Sequence, residues 1–282
     1  MPLSISTLKS IRKWRDRAFM AGQVALDRVR LPRGRRVLVT PWPEVEAALR
    51  RSFHGTGHAV AMAEMPAGGG DFDVVVPLTI AALEVAARDD ALRRRNPLPL
   101  PSLAAIRRCD DKAELIAHLR ARGFAAHLPG DAAPGRWPYM LKRRWDACAR
   151  NAFCVAGAAD EAALAAQLAS ADFLRQEWIG GEMEYTAHLL HFGGSTRRAL
   201  TLSFRMPNGR SIRGRDPVAL HRRCRSRHVA LFEAMLNAAE FEGLCCVNYK
   251  ERDGVPIVLE INPRFGFSLA PFFAAFVRSF RW

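Results

Sequence analysis

The stretch that most constrains this chain is Val247-Asn248-Tyr249-Lys250 and Leu259-Glu260-Ile261-Asn262-Pro263-Arg264, parted by Asp253-Gly254. An Asp-Gly pair between two apolar, β-branched runs predicts a β-hairpin. Side chains alternate along a strand, so Glu260 and Asn262 point to one face. With the hairpin centred on Gly254, Asn248 stands opposite Glu260. Opposed Cβ atoms lie about 4.5–5.5 Å apart, which gathers three oxygen-bearing side chains in one patch. Such a patch suits a hard cation, Mg²⁺ above all, that also holds phosphate oxygens. Arg264 continues the alternation and sets a fixed cation beside it. The plainer alternative is the wet face of an ordinary hairpin, which shows the same polar alternation.

The 282 residues are enough for a full core and for two or three subdomains. The unusual quantity is the net charge of +14, which favours an anionic partner such as a nucleotide, a phosphorylated substrate, an acidic polymer or an anionic surface. The positive charge reads as dispersed and lacks the aromatic interleaving of a nucleic-acid stacking platform, which argues against nucleic acid. Six cysteines, Cys109, Cys148, Cys154, Cys224, Cys245 and Cys246, show neither a CxxC pair nor zinc-ligand spacing. They read as reduced thiols of a cytoplasmic protein. No run reaches the roughly 20 apolar residues of a membrane span.

Residues 1–35 read as a basic extension, with Leu8, Ile11, Trp14, Ala18, Ala21 and Ala25 at amphipathic-helix spacing. It is expected to dock on the rest of the protein or on an anionic surface. Residues 36–105 alternate short apolar strands (Val37–Thr40, His58–Met62, Val74–Pro77) with helices over 44–53 and 81–95, the pattern of a small parallel α/β unit. Its glycines form no GxGxxG, so a dinucleotide site is not supported. After the connector Asn96-Pro97-Leu98-Pro99-Leu100-Pro101, Asp110-Asp111 opens a helix ending near Gly123. Strands are expected at 139–142, 173–178, 184–190 and 197–204, and a long helix at about 218–242 before the hairpin.

Four motifs in sequence order make the second half resemble the ATP-grasp superfamily, which includes D-alanine–D-alanine ligase and the carbamoyl-phosphate synthase large chain. They are Asp110-Asp111-Lys112; Tyr139-Met140-Leu141-Lys142; Gln176-Glu177-Trp178-Ile179-Gly180-Gly181-Glu182-Met183-Glu184; and Asn248 with Glu260-Ile261-Asn262-Pro263-Arg264. The resemblance implies an α/β and α+β chain: an ATP-grasp fold, with a small subdomain over 106–175 and a large one over 176–282, preceded by a small Rossmann-like domain. It implies ATP and Mg²⁺ as cofactors, with Mn²⁺ as an alternative ion. By resemblance, adenine meets the hinge at Glu177, Trp178 and Ile179, and Glu184 takes the ribose hydroxyls. Lys112 and Lys142 face phosphates, Arg205 is a further phosphate cation, Asn248, Glu260 and Asn262 hold the metal, and Arg264 is catalytic.

The chain departs from the superfamily at Arg143–Arg150, which follows Lys142 without a glycine. Asn248 also stands where many relatives carry an acid. The expected activity is an ADP-forming ligation of a small carboxylate to an amine through an acyl phosphate. The sequence leaves two rivals open, a kinase of a small anionic substrate and a non-enzymatic binder of an anionic polymer. It also allows a homodimer, in which a partner subunit completes the acceptor site.

Overall fold

The computed structural model describes residues 34–146 and 149–282; the expected amphipathic helix of the basic extension lies outside them. The chain divides into two compact units, residues up to Leu98 with Phe267–Trp282, and Pro99–Gly266.

In the first unit, β1 (Arg36–Val39) lies between β2 (Ala59–Met62) and β3 (Val74–Val76), and both pairings are parallel. Val37, Leu38, Val39 and Val74–Val76 are essentially inaccessible, as expected for a parallel strand covered on both faces. Between β1 and β2 runs α1 (Pro43–Phe53), with proline at its start, glutamates in its first turn and arginines in its last. The helix expected over 81–95 is broken at Asp89 into α2 (Ile80–Arg88) and α3 (Asp90–Arg95). The Asp89 carboxylate caps α3 by accepting from Leu92 N at 2.9 Å, and a side chain that competes for backbone donors favours a helix start over a helix interior. Phe267–Trp282 belongs to this unit, with Phe273 edge-on to Phe53.

The second unit opens with α4 (Leu103–Asp110) and α5 (Lys112–Ala121). Its smaller sheet is antiparallel, with β4 (Tyr139–Arg143) between β5 (Ala152–Val155) and β6 (Phe173–Glu177); α6 (Ala158–Ala163) and α7 (Ala165–Ala169) join β5 to β6. The larger sheet contains β7 (Met183–Phe192), β8 (Ser195–Arg205), β9 (Leu220–Cys224), β10 (Gly243–Arg252) and β11 (Val255–Asn262), ordered β11-β10-β7-β8-β9 and antiparallel throughout. One face of this sheet (Ala187, Leu189, Cys245, Val247, Tyr249, Val258, Ile261) packs on α4, α5 and α8 (Val229–Ala238) through Leu115, Leu119, Phe232 and Leu236. The opposite face carries the polar residues considered next.

Two expectations change here. The helix expected from about 218 begins only at Val229, because Leu220–Cys224 pairs with β8 as an edge strand. The hairpin pairs Asn248 with Glu260 as expected, but by another route. Asp253 and Gly254, both at positive φ (52° and 80°), form a two-residue turn with Arg252 opposite Val255. That register continues through Tyr249 opposite Val258, and a bulge at Leu259 then shifts it by one residue. Without the bulge Asn248 would face Leu259. The extra residue re-aims the strand end, as bulges commonly do beside functional sites.

Candidate active site

The polar cluster grows from the bulge. Glu260 Oε1 accepts from Asn248 Nδ2 at 2.6 Å and from Asn262 Nδ2 at 2.9 Å, and Oε2 lies 3.6 Å from Lys112 Nζ. The carbonyl of the bulged Leu259 accepts from Lys142 Nζ at 2.9 Å, so one irregularity serves both the carboxylate and the lysine. Burial would raise the Glu260 carboxyl, but Lys112, Lys142 and the two amides hold it down at about 2. Burial pushes Lys142 down to about 8, against the pull of Glu260. Lys112 follows the N-cap Asp111 at the first position of α5, and its ammonium also donates to the carbonyls of Arg144 and Asp146. Three elements, α5, β4 and β11, thus deliver two ammoniums and one carboxylate to a mostly buried spot, where an unpaired charge would be costly.

Asn248 Oδ1 accepts from Thr186 Oγ1 at 2.7 Å, and Asn262 Oδ1 accepts from Arg264 at 3.3 Å. The donor set open to a metal is therefore one carboxylate and two amide oxygens. Among the described residues no group of three or more His, Cys, Asp or Glu converges on a metal position. This set fits an ion that arrives with phosphate oxygens and keeps waters, as Mg²⁺ does, and does not fit an all-protein cage.

Other residues named from the sequence are brought near but already engaged. Glu184 is buried and accepts from Arg213 Nε at 2.6 Å; this guanidinium lies 4.6 Å over the Phe204 ring. Burial opposes the Arg213 charge, yet Glu184 raises its pKa above the ordinary value. Glu177 bonds Arg252 and accepts from Gly130 N at 3.1 Å, so its carboxylate ties the hinge to the neighbouring loop. Trp178 donates from Nε1 to Gly209 O at 3.2 Å. The Ile179 carbonyl accepts from Lys250 Nζ at 3.0 Å, and the same ammonium reaches Gly181 O at 3.1 Å.

Arg205 is a correction. It is opposite Met183 while its neighbour Phe204 is opposite Glu184, so strand alternation turns it to the other face. There it is exposed and pairs with Glu182 at 3.0 Å. Nor is Arg144, in the glycine-free loop, open to a phosphate: it forks onto both oxygens of Asp111 and stacks on Trp145.

Sequence reasoning missed Arg213 and Lys250. Lys250 carried a signal, two residues beyond Asn248 on the same strand face. Arg213 comes from the irregular 206–219 segment, where no periodicity marks a facing side chain. The chain's own geometry also places His188 on this face, two residues from Thr186, against Gly266. Burial lowers its imidazole to about 3.

No protein-family model matches the sequence, and no curated protein matches it. Solved structures do. An L-amino acid ligase from Bacillus licheniformis is 14% identical with TM-score 0.60, over 86% of this chain and 70% of that one. A D-alanine–D-alanine ligase from Bacillus anthracis is 14% identical with TM-score 0.58, over 87% and 93%. An N5-carboxyaminoimidazole synthase from Aspergillus clavatus, solved with ADP and 5-aminoimidazole ribonucleotide, is 16% identical with TM-score 0.53, over 83% and 70%. The chain has the fold of the ATP-grasp ligases.

Proposed function

We propose that the protein is an ATP-dependent ligase that joins a carboxylate to an amine. The observation that carries this reading is Glu260, set between two amides and two lysine ammoniums, on a sheet of this fold. Lys112 and Lys142 would hold phosphate oxygens as compact point charges. Glu260, Asn262 and Asn248 would hold Mg²⁺, or Mn²⁺, together with the nucleotide; the ion supplies charge neutralisation during phosphoryl transfer.

In the first step a substrate carboxylate oxygen attacks the γ-phosphorus, the bond to the β–γ bridging oxygen breaks, and ADP leaves with that electron pair. In the second, the amine nitrogen attacks the acyl carbon, the carbon–oxygen bond to phosphate breaks, inorganic phosphate leaves, and the amine proton passes to solvent. Arg264 sits beside Asn262, where its guanidinium would stabilise the developing oxyanion. Arg213 already donates to Glu184 Oε1, so the ribose hydroxyls would share or replace that donor at the Glu184 carboxylate. The experiment is a paired carboxylate and amine library with Mg·ATP, read by phosphate release and by mass spectrometry of the amide. Phosphate release that needs both substrates supports the ligase, whereas a phosphorylated product formed without any amine replaces it with a kinase.

A further inference from the structure

The glycine-free loop after Lys142 is bolted to the first turn of α5, and Arg144 makes the joint twice over. Its guanidinium forks onto both carboxylate oxygens of Asp111, with Nε 3.1 Å from Oδ1. Its backbone carbonyl accepts from Lys112 N and from Lys112 Nζ, each at 3.3 Å. Its own N–H donates to Asp172 O at 2.8 Å, just ahead of β6. One residue thus grips the N-cap of α5, the lysine after it and the end of the smaller sheet.

A lysine carries a compact charge on a flexible four-carbon stem. In Lys112 two of the three ammonium donors are taken by loop carbonyls, Arg144 at 3.3 Å and Asp146 at 3.1 Å. The same ammonium stands 3.6 Å from Glu260 Oε2. The stem is therefore ordered before a ligand arrives, which removes part of the entropy lost on binding. Both halves of the fork are charged. Burial would raise the Asp111 carboxyl, but Arg144 and the N–H groups of Glu114 and Ala113 hold it below its ordinary value, while Asp111 raises Arg144. A glycine-rich loop offers phosphates its backbone N–H groups. Here the amides of Arg143 and Arg144 are engaged by Asn151 O and Asp172 O.

We infer that Arg144 is a positioning residue: by clamping Asp111 and presenting its own carbonyl, it aims the Lys112 ammonium at a nucleotide phosphate beside Glu260. The inference rests on the reading of Lys112 as a phosphate ligand and adds the residue that holds it in place. Arg144 acts at one remove and touches neither phosphate nor substrate.

Two measurements on the full chain test this, the first without nucleotide. The chain has five lysines, and amine acylation read by mass spectrometry follows each one separately. Arg144→Gln is expected to raise the labelling rate of Lys112 several-fold. Labelling of Lys250, held by the carbonyls of Ile179 and Gly181, should stay at the parental rate, whereas general loosening would raise both. The second measurement is Mg·ADP affinity by isothermal titration. Arg144→Gln should weaken it about tenfold, the scale of one charge-assisted hydrogen bond. In a Lys112→Met background the same substitution should have no further effect, because the side chain it aims is gone. Asp111→Asn keeps an N-cap acceptor and removes the charge that the fork grips. It should give the same pattern, and it takes the place of Arg144→Gln should that variant lack a cooperative melt. Unchanged Lys112 labelling, an equal rise at Lys250, or an affinity loss that persists in full without Lys112 overturns the positioning role. The two readings fail separately. If the parent binds no Mg·ADP, the nucleotide reading falls and the aiming role falls with it. If Lys112→Met weakens binding and Arg144→Gln does not, only the aiming role falls.

Discussion

At the β10–β11 edge of the large sheet, Glu260 is three-quarters buried and each charge is met by a partner: the carboxylate by two amides and the Lys112 ammonium, the Lys142 ammonium by a bulged carbonyl. At the β9 edge, four strands away, arginines stand exposed in a segment with a single acid. The same sheet face therefore treats charge in two ways. Where water is excluded, an unbalanced ion is costly and the sequence supplies partners from several elements. Where water is present, excess charge is tolerated and is available for an arriving ligand. Satisfied partners mark the end where chemistry is proposed, and solvation marks the end where excess charge costs little.

If the comparison is sound, the buried end breaks hardest. Glu260→Gln keeps the shape and removes the one full negative charge between Lys112 and Lys142. Turnover with both substrates should fall about 10²-fold or more, the scale of losing an electrostatic stabiliser. The melting temperature should fall as well, because two ammoniums lose their counter-charge. A variant with parental turnover and parental melting would show that the cluster is neither catalytic nor charge-balanced.

Arg213 and Glu184 offer a sharper test, because stability and binding should move in opposite directions. Their side chains are about 20% and 10% exposed. Removing one partner of such a pair costs about 3–5 kcal/mol, while replacing both costs less. Arg213→Ala should therefore lower the melting temperature by more than Arg213→Gln combined with Glu184→Gln does. Yet Arg213→Ala should enlarge the thermal shift given by ATP, since the nucleotide no longer competes with a guanidinium for Glu184. A smaller shift would mean that Arg213 helps to hold the nucleotide.

A pH scan probes the same buried floor more gently. His188 is held at about 3 by burial, with a further push from Arg213, against an ordinary 6.5. Its folded pKa is lowered, so between about 6.5 and 3 the unfolded chain binds a proton that the native one refuses. Stability is then lost as pH falls through that window, by up to about 1.4 kcal/mol per unit. Glu260, lowered from 4.5 to about 2, works in the same direction further down, between those values. His188→Leu should flatten the loss between pH 6.5 and 4.5, measured by urea denaturation. Gly266→Ala should destabilise at every pH, because a Cβ there would run into the His188 imidazole.

How much of this was legible in the sequence follows how local each signal was. The hairpin could be read because its turn, alternation and facing residues lie within sixteen positions, and the Asn248–Glu260 pairing is present. The bulge that produces the pairing left no composition signal; Leu259 resembles any strand leucine. Lys112 and Lys142 were recognised through ordered motifs rather than through physics of their own. Arg205 misled because one residue of alternation decides which face a strand side chain takes. Residues 218–228 resisted because an edge strand rich in arginine has neither a buried face nor a turn to announce it, so helix and strand could not be told apart without β8.

The smallest effect is expected at the exposed end. Replacing Arg222, Arg223 and Arg225 together by glutamine should change folding stability by no more than about 0.5 kcal/mol per site, the usual range for exposed positions. Its consequence should lie in association. Charged side chains on an edge strand discourage sheet-to-sheet pairing, and among the described residues β9 pairs on one side only, with β8. The glutamine variant should therefore shift toward dimers or larger species in sedimentation velocity at concentrations where the parent does not. If instead it stays as dispersed as the parent, the arginines do not guard the edge. If it melts far below the parent, they belong to the folded core's electrostatics, and the contrast between a balanced and an unbalanced end of the sheet is mistaken.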